Sequence, residues 1–234
     1  MKKIFFLVAA YLFVYSCTPV SIVDNKRLQV TGTIVNSEGQ ALDGFDVETR
    51  TYVGTGFFLG SPDLKKINGT TTNADGKFSF TSLDVDSDEL IVQINPNSDS
   101  LQDNFQSLTF LDNRSGREET LLDLGTIVLK RRVNITVVFN IEEPFGVQLL
   151  YPNPYPVITI NNWNELEELP EELEYSRFRD MYTLVEADDD GLYRLRLETL
   201  ENSEIILTYG VDGITTESTI LISGEEESPY EFTP

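Results

Sequence analysis

The sequence predicts an all-β protein that contains two tandem antiparallel β-sandwich domains. Short segments alternate apolar and polar residues with a period of two, and turns rich in Gly, Asn and Asp separate them at regular intervals. The pattern begins again after the basic run Lys130-Arg131-Arg132, which marks a boundary. With 234 residues, 40% of them hydrophobic, the chain can form two β domains of ordinary size. We predict the first domain at residues 28–131 and the second at 132–223.

The beginning of the chain has the layout of a secretory signal. A basic start precedes an apolar run, Ile4–Val14, which is too short to span a bilayer comfortably. The only cysteine, Cys17, follows. The segment resembles a bacterial lipoprotein signal, which implies a signal peptide at residues 1–16, acyl chains such as palmitate on Cys17, and a tether over residues 17–27. The alternative is a free thiol in an ordinary signal peptide or an uncleaved anchor.

The first predicted domain is organised around the turn and strand from Thr72 to Phe80. Asp75-Gly76 favours a tight turn, and the two phenylalanines Phe78 and Phe80 face one side of the strand that follows. Gly54–Gly69 and 95–120 are predicted as long connections. The remaining predicted strands are Leu28–Val35, Phe45–Arg50, Leu90–Ile94 and Leu124–Leu129.

Residues 28–130 resemble a carboxypeptidase-regulatory-like domain. The motifs that carry the resemblance are Val30–Val35, Gly39 with Leu42 and Gly44, Thr71–Phe80 and Asp123–Leu129. The resemblance implies a transthyretin-like, or prealbumin-like, β-sandwich. It also implies a non-catalytic module of the kind attached to secreted enzymes, transporters and surface proteins.

The second predicted domain repeats this order of elements. An Asp-Gly corner at Asp188–Gly191 echoes Asp75-Gly76, and 164–180 is predicted as one or two short helices. The domain is either a diverged copy of the first or an immunoglobulin-like sandwich. We predict an acidic, flexible tail at 224–234. The predicted strands are Val133–Phe139, Val147–Tyr151, Val157–Ile160, Tyr193–Leu197, Ile205–Tyr209 and Ile220–Ile222.

Composition excludes several classes of function. The formal charge of −22 argues against nucleic acid or an anionic lipid surface as a partner. Residues 133–234 carry −18 of this charge and residues 18–132 carry −6. Because the chain has no histidine, the commonest general base and zinc ligand are absent, and we expect a protein that is not an enzyme and holds no cofactor.

Two sets of residues are candidate sites. Asp188 and Asp190 are weak calcium candidates, because their spacing does not match a twelve-residue calcium loop, and a solvated hairpin corner explains them better. Trp163 and Tyr155 form a possible binding patch, although such aromatic residues also cover the open ends of sandwiches.

These observations predict a non-catalytic, lipid-anchored envelope protein that acts as a binding, scaffolding or accessory module. The absence of an acidic run after Cys17 favours a periplasm-facing position in the outer membrane over the cell surface. The expected partners are the membrane, through the lipid, and an envelope protein. The alternatives are a fimbrial or surface-assembly subunit and a small carbohydrate- or calcium-binding lipoprotein.

Overall fold

The protein is an all-β molecule in the computed structural model, which describes residues 20–53, 63–86, 89–96, 104–114, 116–160, 163, 177–211, 214–223 and 229–233. Its fifteen described strands form four sheets. No helix within these ranges has the length and hydropathy to cross a bilayer. The strands are β1 Ile22–Val35, β2 Asp46–Val53, β3 Asp63–Thr71, β4 Lys77–Val85, β5 Leu90–Ile94, β6 Leu108–Asp112, β7 Leu121–Val128, β8 Arg132–Phe139, β9 Phe145–Pro152, β10 Val157–Thr159, β11 Phe178–Val185, β12 Tyr193–Leu200, β13 Ser203–Val211, β14 Ile214–Ile222 and β15 Tyr230–Phe232.

The first sandwich packs a three-stranded sheet, β4-β1-β7, against a five-stranded sheet, β10-β6-β5-β2-β3. Alternate residues of both sheets point inward and form one buried apolar cluster. The hydroxyls of Thr49 and Ser82 join the sheets across this core at 2.6 Å. The largest fully buried side chains of the cluster are Leu28, Ile34, Leu90, Ile94, Leu122 and Leu129.

The second sandwich packs β11-β9-β13-β14 against β12-β8-β15. Its core is rich in aromatic side chains that meet edge to face, with the ring of Phe232 5.4 Å from Phe139 and 5.2 Å from Tyr209. Val137, Val147, Leu149, Ile205 and Leu207 are fully buried in the same cluster.

The all-β sandwich prediction is confirmed, and the predicted alternation places the expected residues inside. Of the eleven described strand pairs, eight are antiparallel and three are parallel: β1–β7, β6–β10 and β8–β15. The Asp-Gly corner is also present. Gly76 has a φ of 72°, and a Cβ there would lie 2.3 Å from the carbonyl oxygen of Ile34, so only glycine fits.

Three predicted connections contain strands. β1 begins at Ile22, inside the predicted tether, and it resumes its pairing with β4 after a register shift between Ile22 and Arg27. β3 begins inside the predicted excursion 54–69 and extends two residues beyond it, and β6 lies inside the predicted loop 95–120. Polar residues in β3 and β6 obscure the alternation of apolar and polar residues that predicts a strand. Both strands nevertheless form hydrogen bonds with neighbouring strands of the same sheet.

Residues 157–160 and Trp163 join the first sandwich, although their position in the chain predicts that they belong to the second domain. β10 pairs in parallel with β6, and Ile158 and Ile160 are buried in the first core. The sequence pattern of a short strand does not specify its partner, which explains the correction.

Two further segments in the second half of the chain differ from the prediction. Residues 178–180 belong to strand β11 rather than to a helix, while 164–176 lie outside the described residues. Within the predicted flexible tail, β15 pairs in parallel with β8 and buries Phe232. Cys17, the predicted signal peptide and residues 212–213 lie outside the described residues as well.

Glu201 links the two sandwiches directly. Its buried carboxylate accepts a hydrogen bond from the Ser37 hydroxyl at 2.9 Å and from the Arg131 backbone N–H at 3.0 Å. The backbone N–H of Glu201 donates in turn to the Arg131 carbonyl at 2.9 Å. A bridge between Phe105 and Arg131 adds a further contact at the junction.

Candidate functional site

A proline-rich crossover segment, residues 152–160, carries the chain from the second sandwich to the first. Proline lacks a backbone N–H and cannot continue a central strand, so Pro152 ends β9. The carbonyls of Pro154 and Pro156 then accept hydrogen bonds from the N–H groups of Ser107 and Thr109, at 3.0 and 3.1 Å. These bonds fix the crossover segment along the edge of the first sandwich.

A cleft of about 480 Å³ lies where the crossover segment, β6, β7, β11 and the end of β12 meet. Most of its lining side chains are apolar, and we call it the junction cleft. Its volume lies within the range typical of small-molecule sites. The apolar lining residues are Leu108, Phe110, Leu124, Ile127, Val128, Pro152, Pro156, Ile158, Phe178 and Leu200.

The polar residues of the junction cleft are neutral or basic. Lys130 and Arg177 are its two cations, and none of its described lining residues is an aspartate or glutamate. Lys130 Nζ donates to the carbonyl of Asn202 at 3.2 Å, and Gln106 Nε2 donates to the carbonyl of Val128 at 3.3 Å. Among the described residues, this apolar cleft is bordered only by positive charge, which favours negative or neutral ligands over cations.

Exposed apolar side chains form the rim of the junction cleft. Val128 is 48% exposed and Phe178 is 39% exposed, while Leu108, Phe110 and Ile158 form a buried floor. The exposed rim is apolar surface that a bound partner would cover.

Tyr155 is held by two arginines rather than presented freely. The guanidinium carbons of Arg132 and Arg179 lie 5.4 and 5.8 Å from the centre of its ring, and Arg132 also donates to its hydroxyl. Asn153 accepts hydrogen bonds from the Tyr155 N–H and from Arg179 Nε, both at 3.1 Å. Tyr155 therefore stabilises the crossover segment beside the cleft.

Trp163 is not part of a surface patch, which corrects its prediction as a binding residue. Its side chain is 3% exposed, packs within the first core and lies 6.5 Å from the ring of Phe110. The indole N–H donates to Asp112 Oδ2 at 2.6 Å. A buried indole requires such an acceptor, and Asp112 supplies it.

Asp112 belongs to a buried ionic network that the sequence analysis missed. Arg117 donates to Asp84 Oδ1 at 3.1 Å, and its Nε lies 3.1 Å from Asp112 Oδ2. Arg114 donates to both Asp112 and Glu119, at 2.9 and 2.8 Å. The sequence does contain a signal for their burial. Asp84 and Asp112 occupy the alternate positions of β4 and β6 whose side chains point inward.

The network changes the acidity of its members. Burial raises the pKa of Asp112, but the hydrogen bonds from Arg114 and Trp163, together with the charge of Arg117, outweigh burial and leave the pKa lowered. Burial likewise raises the pKa of Glu119, and the hydrogen bond from Arg114 more than reverses this effect. Both carboxylates remain charged at neutral pH and hold the network together.

Asp188 and Asp190 share a cation that the chain itself supplies. Arg194 Nη1 lies 2.8 Å from Asp188 Oδ2 and 2.9 Å from Asp190 Oδ2. Hydrogen bonding with Asp188, and then with Arg194, lowers the pKa of Asp190. Asp188 Oδ1 also accepts the Leu192 N–H at 3.0 Å, as expected of a hairpin corner. Across the described ranges, no group of three or more acidic side chains is arranged to hold a metal ion.

No protein-family model and no curated protein matches this chain. Solved structures with some similarity include the Bacillus anthracis TIE protein, at 11% identity over 90% of this chain and 34% of that chain, with a TM-score of 0.30. A streptococcal ancillary pilin aligns at 13% identity over 90% of this chain and 62% of that chain, with a TM-score of 0.28.

The shaft pilin of Lactobacillus rhamnosus GG aligns at 10% identity over 89% of this chain and 96% of that chain, with a TM-score of 0.23. This chain thus spans about a third of the TIE protein and less than two thirds of the ancillary pilin. At scores this low, the alignments carry no argument about function.

Proposed function

We propose that this chain is a non-catalytic, lipid-anchored module of the Gram-negative outer membrane that binds an envelope protein through the junction cleft. The observation that carries the proposal is the cleft itself: about 480 Å³, mostly apolar, and bordered by Lys130 and Arg177 with no acidic residue among its described lining. Cys17 is the lipidated residue and faces the periplasm in this proposal. The absence of histidine supports a binding role over catalysis.

The charges of the cleft define the partner. An apolar segment that carries a carboxylate would bury its side chains against Phe110 and Ile158 and place its negative group near Lys130 or Arg177. A basic segment would instead be attracted to the rest of the second sandwich, which has a large excess of acidic residues. The expected occupant of the cleft is therefore an apolar, acidic segment of an envelope protein.

Affinity capture of the full chain from gently solubilised envelopes tests this proposal. Val128→Glu places a negative charge at the cleft rim, and Val157→Glu places the same charge on a residue of similar exposure that does not line the cleft. We expect Val128→Glu to lose the captured partner by at least about tenfold and Val157→Glu to retain it. Both positions are partly exposed, so both variants should fold.

The outcomes distinguish the parts of the proposal. Equal capture by the two valine variants would exclude the cleft as the binding site. Loss of the partner on Cys17→Ala alone would show that the complex requires membrane anchoring. Protease treatment of intact cells should leave the protein uncleaved if it faces the periplasm, and cleavage would place it on the cell surface.

A further inference from the structure

Among the described strands, β14 is an open sheet edge without the usual protection against pairing. It forms one edge of the sheet β11-β9-β13-β14, and its nine residues pair with β13 in an uninterrupted register. Natural edge strands are usually protected by charges, prolines, bulges or short length. β14, with the sequence ITTESTILI, contains no proline and one charged side chain, Glu217.

The other described edge strands carry such protection. β3 has three charged residues, β12 has three, and β4 and β11 have two each. β7 is interrupted by a register shift against β1 at Gly125, where φ is positive. β10 and β15 have three residues each. Among the described strands, β14 is therefore the long edge that is best suited to pair with another strand.

The hairpin register identifies which backbone groups of β14 face outward. Val211 pairs with Ile214 across a two-residue connection, and such a closing pair is hydrogen bonded. Because hydrogen-bonded and non-bonded pairs alternate along an antiparallel ladder, the even-numbered residues of β14 bond to β13. The N–H and C=O groups that face the open edge then belong to Thr215, Glu217, Thr219 and Leu221.

We propose that β14 pairs with β14 of a second copy of this chain, antiparallel about a two-fold axis at Ser218, to form a continuous eight-stranded sheet. This register uses the whole strand and pairs every outward residue with another, Thr215 with Leu221 and Glu217 with Thr219. It places no two like charges opposite each other. An isologous contact of this kind closes as a dimer and leaves no free β14 edge.

Side-chain exposure supports the same register. Ile214 is 68% exposed and Leu221 is 69% exposed, so both side chains offer apolar surface that a partner strand would cover. In the two-fold pair, Ile214 lies opposite Ile222 of the other copy, and Leu221 lies opposite Thr215. The pairing therefore covers apolar surface at both ends of the strand.

The formal charge of −22 on each copy opposes association. Because this repulsion is long-ranged and β-strand hydrogen bonds are not, added salt should strengthen the dimer. The Debye length falls from about 8 Å at 0.15 M salt to about 3 Å at 1 M. A dimer held by surface ion pairs would show the opposite dependence.

The test is sedimentation equilibrium of the full chain in a density-matched non-ionic detergent. Thr219→Glu places a glutamate opposite Glu217 of the other copy twice, once on each side of the axis. We expect about tenfold weaker dimerisation. Leu184→Glu makes the same change in net charge on β11, at the other edge of the sheet, and should leave the dimer unchanged.

A double variant with a reversed charge tests the register at Ser218 directly. Adding Glu217→Lys to Thr219→Glu creates two opposite-charge pairs across the axis and should restore dimerisation. Failure of this restoration would overturn the register at Ser218. A monomeric wild-type chain, open-ended polymers, or equal weakening by Leu184→Glu would overturn the β14 dimer. The junction cleft lies at the other edge of the sheet, so its capture experiment is independent of this result.

Discussion

At the scale of single residues, the Asp112 carboxylate organises the interior of the first sandwich. It is fully buried and accepts hydrogen bonds from Trp163, Arg114 and the Arg114 backbone N–H. Asp112→Asn preserves the side-chain shape but leaves the buried guanidinium of Arg117 with less compensating charge. We expect the free energy of unfolding, measured by urea denaturation, to fall by about 3 kcal/mol.

Asp86→Asn is the matched control, because Asp86 is exposed just beyond β4. It should change stability by less than about 0.5 kcal/mol. If Asp112→Asn were equally mild, the network would not contribute to stability as its geometry indicates.

The same network predicts how stability depends on pH. The pKa of Asp112 in the folded protein is below its ordinary value of 3.8, so the unfolded chain binds the proton more readily. Its contribution is therefore present above the unfolded pKa and is lost as pH falls through the folded pKa. Urea midpoints should fall steeply below about pH 4, and this fall should be smaller in Asp112→Asn. An identical pH profile in the variant would contradict this assignment.

Trp163 is the only tryptophan, so its fluorescence reports a single position. Because the indole is buried against Asp112 and Phe110, we expect native emission at short wavelength and little quenching by iodide. Unfolding should shift the emission to longer wavelength and restore quenching. Strong quenching in the native protein would show that Trp163 is exposed and would contradict its burial.

Buried charged residues are the part of the residue scale that sequence reasoning missed. Glu48 lies between two inward residues of β2, so alternation predicts an exposed side chain, yet it is buried and paired with Arg50 and Lys66. Alternation assigns a face but not what covers it. Asp84 pairs with Lys26 and Arg117, which are distant in the sequence, and no local pattern encodes those contacts. The cations that pair with Asp112 are closer, because Arg114 and Arg117 follow it within five residues.

At the scale of elements, β10 tests which core the crossover segment belongs to. Ile158 is buried in the first core, whereas its neighbour Val157 is 44% exposed on the other face of the strand. We expect Ile158→Ala to lower the free energy of unfolding by about 3 kcal/mol and Val157→Ala by less than about 1 kcal/mol. Iodide quenching of Trp163 should increase only in the Ile158 variant, and equal effects would argue against this placement of β10.

The C-terminal strand β15 gives a second test at this scale. Phe232 contacts the rings of Phe139 and Tyr209, so Phe232→Ala should cost about 3–5 kcal/mol in thermal or urea unfolding. Glu231→Ala, on the exposed position beside it, should cost little. If Phe232→Ala leaves the free energy of unfolding unchanged, the tail would be mobile, as its composition predicts.

The strands that could be predicted are those with a strong local signal. β8 and β9 alternate cleanly over their whole length, and the Asp-Gly corners have the composition that their backbone requires. β6 and β10 are five and three residues long and are stabilised mainly by the strands beside them. Parallel pairing, as in β1–β7, also joins segments far apart in the sequence, which alternation alone cannot identify.

At the scale of the whole molecule, the two sandwiches should unfold together. The crossover segment contributes β10 to the five-stranded sheet of the first sandwich, while the strands on either side of it in the chain, β9 and β11, belong to the second sandwich. Glu201 also joins the two sandwiches directly. We expect Trp163 fluorescence, which reports the first core, and far-UV circular dichroism to give the same thermal midpoint. Glu201→Ala should lower both midpoints. Two separate transitions in the wild type would show that the sandwiches are energetically independent.

Composition and charge described the molecule well at this scale, while the cleft was beyond sequence reasoning. Two apolar clusters and an acidic second half follow from residue counts and periodicity. The junction cleft combines side chains that are about twenty to fifty residues apart in the sequence, such as Leu108, Val128, Phe178 and Leu200. They meet because the crossover segment returns to the five-stranded sheet of the first sandwich. The candidate site therefore depends on the pairing of β10 with β6, which tertiary packing determines.

The early start of β1 would limit the distance between the protein and the membrane in the proposed lipid-anchored state. If Cys17 carries the lipid, as proposed, Ile22 lies only five positions after it, and an extended chain covers at most about 18 Å over that length. The eleven-residue tether expected from the sequence would have allowed roughly twice this reach. The first sandwich would then stand close above the lipid headgroups, so a partner would have to approach from the side or from above.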